Sequence, residues 1–132
     1  MIQIYFGYGK GKTTSALGQG MRAKGAGKNV LLVQFLKNNK SSELAVLPFD
    51  IFKSPENLPF NPGKEYQAWV DSALSYIKNS TCDIIILDEF LDVIDTFVSL
   101  NDSLDLLNCL KDKEVIITGH KKLINFLKRL II

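Results

Sequence analysis

Long apolar runs are missing from this chain of 132 residues, and so is any tract of basic residues. The longest uninterrupted apolar runs, such as 84–87, fall far short of the roughly 20 residues that a helix needs to cross a bilayer. Sixteen Lys and Arg against fourteen Asp and Glu give a net charge of only +2, whereas a general nucleic-acid binder carries a stronger basic bias. The sequence therefore argues against a membrane span and against a nucleic-acid partner.

Cysteine and histidine are scarce. The two cysteines, Cys82 and Cys109, lack the CxxC spacing, and His120 is the single histidine. Because this set does not suit a structural zinc site, we expect any metal to be held by oxygen ligands. The start of the chain lacks the basic, apolar and cleavage regions of a signal peptide. We therefore expect a cytoplasmic protein with reduced thiols.

The sequence does contain the alternation of a parallel α/β domain. A composition of 46% hydrophobic and 23% charged residues is that of a globular protein, and the length suits one domain covering 1–132. Short β-branched and aromatic runs alternate with segments of helical period, which predicts a parallel sheet with crossover helices. Strands are expected at 3–6, 30–35, 84–88 and 115–118, with a weaker one at 46–52, and helices at 12–23, 62–78, 103–110 and 121–130.

Burial and loops follow from the same pattern. The four strong strands are apolar on both faces, as strands between two helix layers are. Pro62 suits the first position of its helix, and an apolar face recurs along that helix at three- and four-residue spacing. All four prolines fall within fifteen residues, so 54–61 is expected to be an irregular loop.

A glycine-rich run between the first strand and the first helix has the features of a phosphate-binding loop: Gly7, Tyr8, Gly9, Lys10, Gly11, Lys12, Thr13 and Thr14. Glycines let backbone N–H groups and a helix N-terminus point at phosphate oxygens. Lys12 adds a positive charge and Thr13 a hydroxyl that suits Mg²⁺. The loop is one residue shorter than the usual motif, because only three residues separate Gly7 from Gly11. With the alternation above, it predicts a P-loop NTPase-like, doubly wound, mainly parallel sheet of about five strands with helices on both faces.

Two further strands end in polar residues. The run 84–87 is followed by Asp88 and Glu89, and 115–119 is followed by His120. Because the carboxyl ends of parallel strands share one edge, the two acids can face the loop and hold Mg²⁺. His120 is either a phosphate contact or a surface residue. Arg22, near the end of the first helix, is either a phosphate contact or a solvated cation.

In combination, these motifs resemble the ATP:corrinoid adenosyltransferases of the CobA, CobO and BtuR type. The resemblance covers about 2–119 and rests on the short loop together with Arg22-Ala23-Lys24-Gly25-Ala26-Gly27-Lys28-Asn29-Val30, Val33-Gln34-Phe35-Leu36-Lys37, Leu87-Asp88-Glu89 and Val115-Ile116-Ile117-Thr118-Gly119. It implies that Co(I) of a corrinoid attacks the 5′ carbon of ATP and that triphosphate leaves. The substrates would be ATP and a corrinoid, with Mg²⁺ as cofactor.

The resemblance also implies roles for individual residues. Lys12, Thr13 and Glu89 are the expected catalytic residues. The expected metal ligands are Thr13 and Glu89, with Asp88 as a supporting ligand. The expected ATP and phosphate contacts are the eight residues 7–14 with Arg22 and His120. A flavoprotein reductant and a homodimer are further expectations. The aromatic segment that family members place against the corrinoid has only loose counterparts, Phe60 and Trp69.

This chain departs from the family pattern at two site positions. Tyr8 stands where Asn is common, and His120 where Arg is common; a neutral His neutralises less phosphate charge than Arg does. Two rival interpretations remain open. One is a P-loop ATPase in which Glu89 polarises a water, and the other is a non-catalytic protein that binds nucleotide or corrinoid.

Overall fold

A computed structural model of the chain describes residues 1–37, 42–56, 58 and 62–130 and contains five strands and four α-helices in this part. The strands are β1 (Ile2–Phe6), β2 (Val30–Gln34), β3 (Asp50–Ile51), β4 (Ile84–Asp88) and β5 (Glu114–Gly119), and the helices are α1 (Lys12–Gly25), α2 (Lys64–Lys78), α3 (Leu100–Cys109) and α4 (Ile124–Leu130). Short 3-10 helices lie at Ser42–Ala45 and Phe90–Val93. The strand and helix order is the predicted one.

The strands form one sheet in the order β1-β5-β4-β2-β3, and every pairing is parallel. Their carboxyl ends therefore lie along the same edge. The register places Phe6 opposite Gly119 and Gln34 opposite Asp88. The predicted α/β class with a doubly wound parallel sheet is confirmed, and the carboxyl edge carries the residues discussed below.

Two apolar layers cover the two faces of the sheet. In β2, Val30 and Leu32 pack on the α1 side, whereas Leu31 and Val33 pack with α2 and α3 on the opposite side. The same alternation continues in β4 and β5. Since successive side chains of a strand point to opposite faces, a strand covered on both sides must be apolar throughout. This arrangement explains the continuous apolar runs at 30–33 and 84–87.

β1 and β3 correct two expectations about the strands. β1 is an edge strand in the sheet order, and its end residues Ile2 and Phe6 are exposed. The expectation that this strand is buried on both faces is therefore wrong. β3 has two residues rather than the seven expected at 46–52. Pro48 lies two residues before β3 and has no N–H to donate to a neighbouring strand, which limits β3 on its amino-terminal side.

Two helices begin later than expected. α2 begins at Lys64 after Gly63, so the placement of Pro62 at the first helical position is wrong. α4 begins at Ile124 rather than Lys121, because the backbone N–H of Lys121 donates to the Asp92 carboxylate (3.2 Å) and the chain is held there before it turns into a helix.

α3 begins earlier than expected, at Leu100 rather than at Ser103. Its N-cap is Ser99, whose hydroxyl accepts a hydrogen bond from the Asp102 backbone N–H at 3.0 Å. Such a cap satisfies a donor that the first helical turn leaves unpaired, which stabilises a start at this position.

The proline-rich segment is described only in part. Ser54, Pro55 and Glu56 lie outside helices and strands, as expected, whereas 57 and 59–61, including Phe60, lie outside the described residues. Trp69 on α2 is partly buried and packs against Phe35 with a ring separation of 5.7 Å. Within the described part of the chain, no helix is long and apolar enough to cross a membrane.

Gly119, the last residue of β5, lies so close to Leu91 that a side chain at this position should destabilise the fold. A Cβ at this position would lie 2.4 Å from Cβ and 3.2 Å from Cα of Leu91, and the latter is backbone. We expect Gly119→Ala to lower the free energy of unfolding by about 2 kcal/mol, because overpacking a close contact costs roughly 1–3 kcal/mol. Urea unfolding measures this. The control is Gly18→Ala, where a Cβ meets nothing within 4 Å; equal losses in both variants would contradict the prediction.

Candidate functional site

The loop between β1 and α1 has the backbone conformation that its glycines permit. Gly7 has φ 125° and Gly11 has φ 99°, values that residues with a Cβ rarely adopt. Gly11 is the N-cap of α1 and provides no side-chain cap, while its carbonyl accepts the first helical hydrogen bond from Ser15 at 2.8 Å. The amino-terminal N–H groups of α1 thus have no side-chain acceptor from the cap. This is the arrangement in which a helix N-terminus binds an anion.

The cations and hydroxyls of this loop are at or near its surface. Nζ of Lys12 donates to the carbonyl of Gly9 at 2.7 Å, so the ammonium lies over the loop. Tyr8, Lys10 and Thr14 are exposed. The loop therefore offers positive charge and backbone donors to solvent on the carboxyl edge of the sheet.

A buried carboxylate faces the first turn of α1. Asp88, at the end of β4, is 0% exposed. Its Oδ1 accepts hydrogen bonds from the hydroxyls of Thr13 (2.9 Å) and Thr118 (2.7 Å). Its Oδ2 accepts from Nε2 of Gln34 (3.1 Å) and from the Lys37 ammonium (2.5 Å). We call these five residues the Asp88 centre; the buried charge is stable because one cation and three neutral donors surround it.

The donor set of the Asp88 centre fits a divalent cation such as Mg²⁺. Thr13 Oγ1 and the Asp88 carboxylate are hard oxygen ligands, which Mg²⁺ prefers. A cationic group already lies between them, because Nζ of Lys37 is 3.1 Å from Thr13 Oγ1 and 2.5 Å from Asp88 Oδ2. The structure thus pairs Thr13 with Asp88, whereas the Glu89 carboxylate lies 3.9 Å from Nδ1 of His120.

Two strained backbone positions flank the Asp88 centre. Leu36 has φ 57° and Glu89 has φ 63°, a left-handed conformation that costs residues other than glycine free energy. Hydrogen bonds hold both: the Leu36 N–H donates to Tyr66 Oη (2.6 Å) and the Glu89 N–H to Thr118 Oγ1 (2.8 Å). Burial raises the pKa of Tyr66 to about 12, so its hydroxyl stays neutral at physiological pH.

His120 forms a second group with Asp92 and Glu89. Its Nδ1 lies 2.7 Å from Oδ2 of Asp92, and its backbone N–H donates to the same carboxylate at 3.0 Å. The imidazole also lies beside Tyr8 of the loop, with ring centroids 5.5 Å apart. One carboxylate thus fixes both the backbone and the ring of His120 next to the loop. The ligand atoms of Glu89, Asp92 and His120 lie within 4.8 Å of one another.

Glu89 predicts a dependence of stability on pH. Burial raises the pKa of its carboxyl group above the ordinary value of 4.5, and the Lys37 charge opposes this shift. Because the folded state then binds this proton more tightly than the unfolded state, Glu89 lowers stability as the pH rises from 4.5 through the raised pKa. We expect Glu89→Gln to be more stable than the unmodified protein at pH 7.5, with a difference that shrinks toward pH 4.

The check is urea unfolding of the two proteins at both pH values. Glu56→Gln is the control. Because Glu56 is exposed to solvent, this substitution should leave the dependence of stability on pH nearly unchanged. A Glu89→Gln variant whose advantage grew on acidification would contradict the burial effect.

Arg22 is not brought to the loop. It lies in the last turn of α1 and is exposed, ten residues beyond Lys12. At a rise of about 1.5 Å per residue, it is roughly 15 Å from Lys12 along the helix axis. We therefore leave Arg22 out of the site.

Sequence reasoning missed several members of the site. Gln34 ends β2 and Lys37 follows it by three residues, so the rule that located Asp88 could have found both. Thr118 lies in the family motif at the end of β5, but its hydrogen bond to Asp88 has no sequence signal. Asp92 has no sequence signal of its own, since only the folded chain brings its carboxylate to His120.

Comparisons with known proteins identify the family to which the sequence is similar. Residues 1–129 match the family model described as "ATP:corrinoid adenosyltransferase BtuR/CobO/CobP". The corrinoid adenosyltransferase of Escherichia coli (strain K12) is 29% identical over 91% of this chain and 67% of that protein, so the chain spans about two thirds of that relative. Corrinoid adenosyltransferase CobA of Salmonella typhimurium (strain LT2) is 57% identical over 28% of this chain and 19% of that protein.

A solved structure shares the fold. A crystal structure titled as a DNA replication initiation factor aligns with a TM-score of 0.50 and 18% identity, covering 91% of this chain and 32% of that one. At this identity, the likeness concerns the fold alone.

Proposed function

Because the chain belongs to the ATP:corrinoid adenosyltransferase family of the BtuR, CobO and CobP type, we propose that it transfers the 5′-deoxyadenosyl group of ATP to Co(I) of a corrinoid and releases triphosphate. The observation that carries the proposal is the placement of the glycine loop and Lys12 beside the Asp88 centre on one edge of the sheet. Backbone donors and cations for a polyphosphate thus adjoin oxygen ligands for its metal.

The chemistry requires little of the protein beyond positioning and charge. Reduced cobalt is itself the nucleophile, so the transfer needs no general base. Triphosphate is the leaving group, and its negative charge grows as the bond from the 5′ carbon to oxygen breaks. Lys12, Lys10 and the N–H groups at the start of α1 would bind that charge, which favours the transition state over the bound substrate.

Thr13 and Asp88 would hold Mg²⁺, with Glu89 as the nearby second acid. When bound, the cation would neutralise part of the phosphate charge. Asp88 contributes its negative charge and orients the Thr13 hydroxyl by accepting its hydrogen bond at 2.9 Å. Gln34 and Thr118 would keep the carboxylate in place while the ligands around it change.

His120 would contact phosphate from the end of β5. Asp92 accepts the proton on Nδ1 at 2.7 Å, which leaves Nε2 for a ligand. An imidazole donates from both nitrogens only when it is protonated, whereas an arginine always carries its charge and its donors. His120 would therefore bind phosphate less strongly than the arginine that is common in the family. The neighbouring Lys121 and Lys122 are exposed and can add positive charge at the same edge.

The wider assignment follows from the same proposal. We expect one domain covering 1–132, a cytoplasmic location, a flavoprotein as the electron donor that makes Co(I), and a homodimer. Each stays a prediction of this function.

An anaerobic assay tests the proposal. The protein is mixed with Mg-ATP and a chemically reduced Co(I) corrinoid, and the absorption spectrum is followed to the adenosylated product. We expect the unmodified protein to form product. The rate of product formation should fall at least about 100-fold with Lys12→Ala, because the variant lacks the cation that would bind the leaving triphosphate. Each tenfold step corresponds to roughly 1.4 kcal/mol of lost transition-state stabilisation. ATP binding without product would instead favour a non-catalytic binding protein, and orthophosphate release without corrinoid would favour an ATPase.

A further inference from the structure

Lys37 occupies the position between Thr13 and Asp88 that a divalent cation would take. Its Nζ lies 3.1 Å from Thr13 Oγ1 and 2.5 Å from Asp88 Oδ2. The Lys37 side chain is 30% exposed, whereas the Asp88 side chain is 0% exposed. The ammonium therefore reaches inward from a partly open position to a carboxylate that solvent does not reach.

The backbone before Lys37 is held in a way that aims this side chain. β2 ends at Gln34, and the Phe35 N–H donates to the Asp88 carbonyl at 2.9 Å. Leu36 then adopts its left-handed conformation while its N–H donates to Tyr66 Oη at 2.6 Å. Strain of this kind persists only where the surroundings fix it, and it concentrates at functional sites. The turn after β2 therefore positions Lys37 over Asp88.

We propose that Lys37 is a tethered counter-ion, which occupies the cation position of the nucleotide-free site and is displaced from it by Mg²⁺ entering with ATP. The inference rests on the proposed function for the arrival of Mg-ATP. It goes beyond that function because it gives Lys37 a role before ATP binds. The Lys37 ammonium fills the metal position until the nucleotide brings its own cation.

Charge balance supports this exchange. A buried carboxylate without a cation costs several kcal/mol, so Asp88 needs a partner when no metal is bound. Mg²⁺ requires oxygen ligands at about 2.1 Å, and a lysine ammonium has donors but no lone pair to offer a metal. The two cations cannot share the space between the same oxygens. The displaced ammonium remains on its stem at this edge, where an incoming triphosphate supplies new negative charge.

The test replaces the ammonium and asks whether free Mg²⁺ restores the site. In the absence of nucleotide, we expect Lys37→Met to lower Tm by about 10 °C, because Asp88 loses its cation. Addition of 10 mM MgCl₂ should recover about 3 °C or more in this variant through binding to the folded state, and should leave the unmodified protein within about 1 °C. Adding Asp88→Asn to Lys37→Met should abolish the Mg²⁺ effect.

Matched variants keep the test decisive. Lys28 is exposed and lies at the opposite end of α1 from the loop, so Lys28→Met should change neither Tm nor its response to Mg²⁺. If Lys37→Met does not fold, Lys37→Gln serves instead, because it removes the charge and keeps a polar side chain at this position. A loss of Tm without recovery in Mg²⁺ would make Lys37 a structural partner only and would overturn the inference, as would an equal Mg²⁺ response in the unmodified protein.

This experiment uses neither ATP nor corrinoid. Its failure is therefore distinguishable from a failure of the transfer assay. Recovery of Lys37→Met by Mg²⁺ in a protein that makes no adenosylated product would support the cation position and reject the proposed reaction, whereas the reverse outcome would reject only the role of Lys37.

Discussion

Lys12→Ala is expected to weaken the binding of Mg-ATP at least about 100-fold. Its ammonium is the loop cation nearest to the start of α1, and it donates to the Gly9 carbonyl at 2.7 Å, which places it over the loop. A charge-assisted contact to phosphate contributes roughly 1.5–3 kcal/mol, and the loss of a mobile charge that reaches several phosphate oxygens falls at the upper end. Isothermal titration calorimetry of ATP with excess Mg²⁺ measures the change.

A second lysine controls for general electrostatics. Lys28→Ala removes the same charge from an exposed position beyond the end of α1, and we expect its dissociation constant to stay within about twofold of the unmodified value. If Lys12→Ala bound ATP as well as Lys28→Ala does, the loop would not be the phosphate site.

Asp88→Ala is expected to lower the free energy of unfolding by about 3 kcal/mol. Asp88 is 0% exposed and accepts hydrogen bonds from four side chains, one of which carries a charge. Removing the carboxylate leaves three neutral donors and the Lys37 ammonium without their acceptor, and breaking a buried pair in this way costs roughly 3–5 kcal/mol. The partial exposure of Lys37 places our value at the lower end of that range.

Urea unfolding at pH 7.5 measures this loss. Asp105→Ala on α3 is the control, because Asp105 is exposed and such surface substitutions stay within about 0.5 kcal/mol. A loss below about 1 kcal/mol for Asp88→Ala would mean that the Asp88 centre does not stabilise the fold.

The location of the site was predictable because parallel strands share a carboxyl edge. Applied to apolar runs that end in polar residues, that rule predicts from the sequence that Asp88, Glu89 and His120 lie at this edge. The rule requires only the strand pattern. β4 and β5 are recognisable because each contains an uninterrupted apolar run and is buried on both faces. The same rule applied to the end of β2 would have added Gln34, which the register pairs with Asp88, and Lys37, whose ammonium bonds to the Asp88 carboxylate.

What could not be predicted depends on contacts between segments distant in sequence. Thr13 donates to Asp88 and not to Glu89, where the backbone turns left-handed and the N–H donates to Thr118, and no local sequence preference marks that turn. The late start of α4 follows from the Asp92 carboxylate, which holds the backbone of His120 and Lys121. In both places a tertiary hydrogen bond decided the geometry, and helical period alone carries no information about such bonds.

The identity of the leaving phosphate tests the central claim most directly. In a single anaerobic turnover with Mg-ATP and excess reduced corrinoid, the account predicts one inorganic triphosphate for each adenosylated corrinoid formed, because the bond that breaks joins the 5′ carbon to oxygen. Phosphorus NMR distinguishes triphosphate from orthophosphate and from ADP. Orthophosphate and ADP formed at the same rate with and without corrinoid would contradict the account, since they would show that the same loop and Asp88 centre serve hydrolysis of the terminal phosphate.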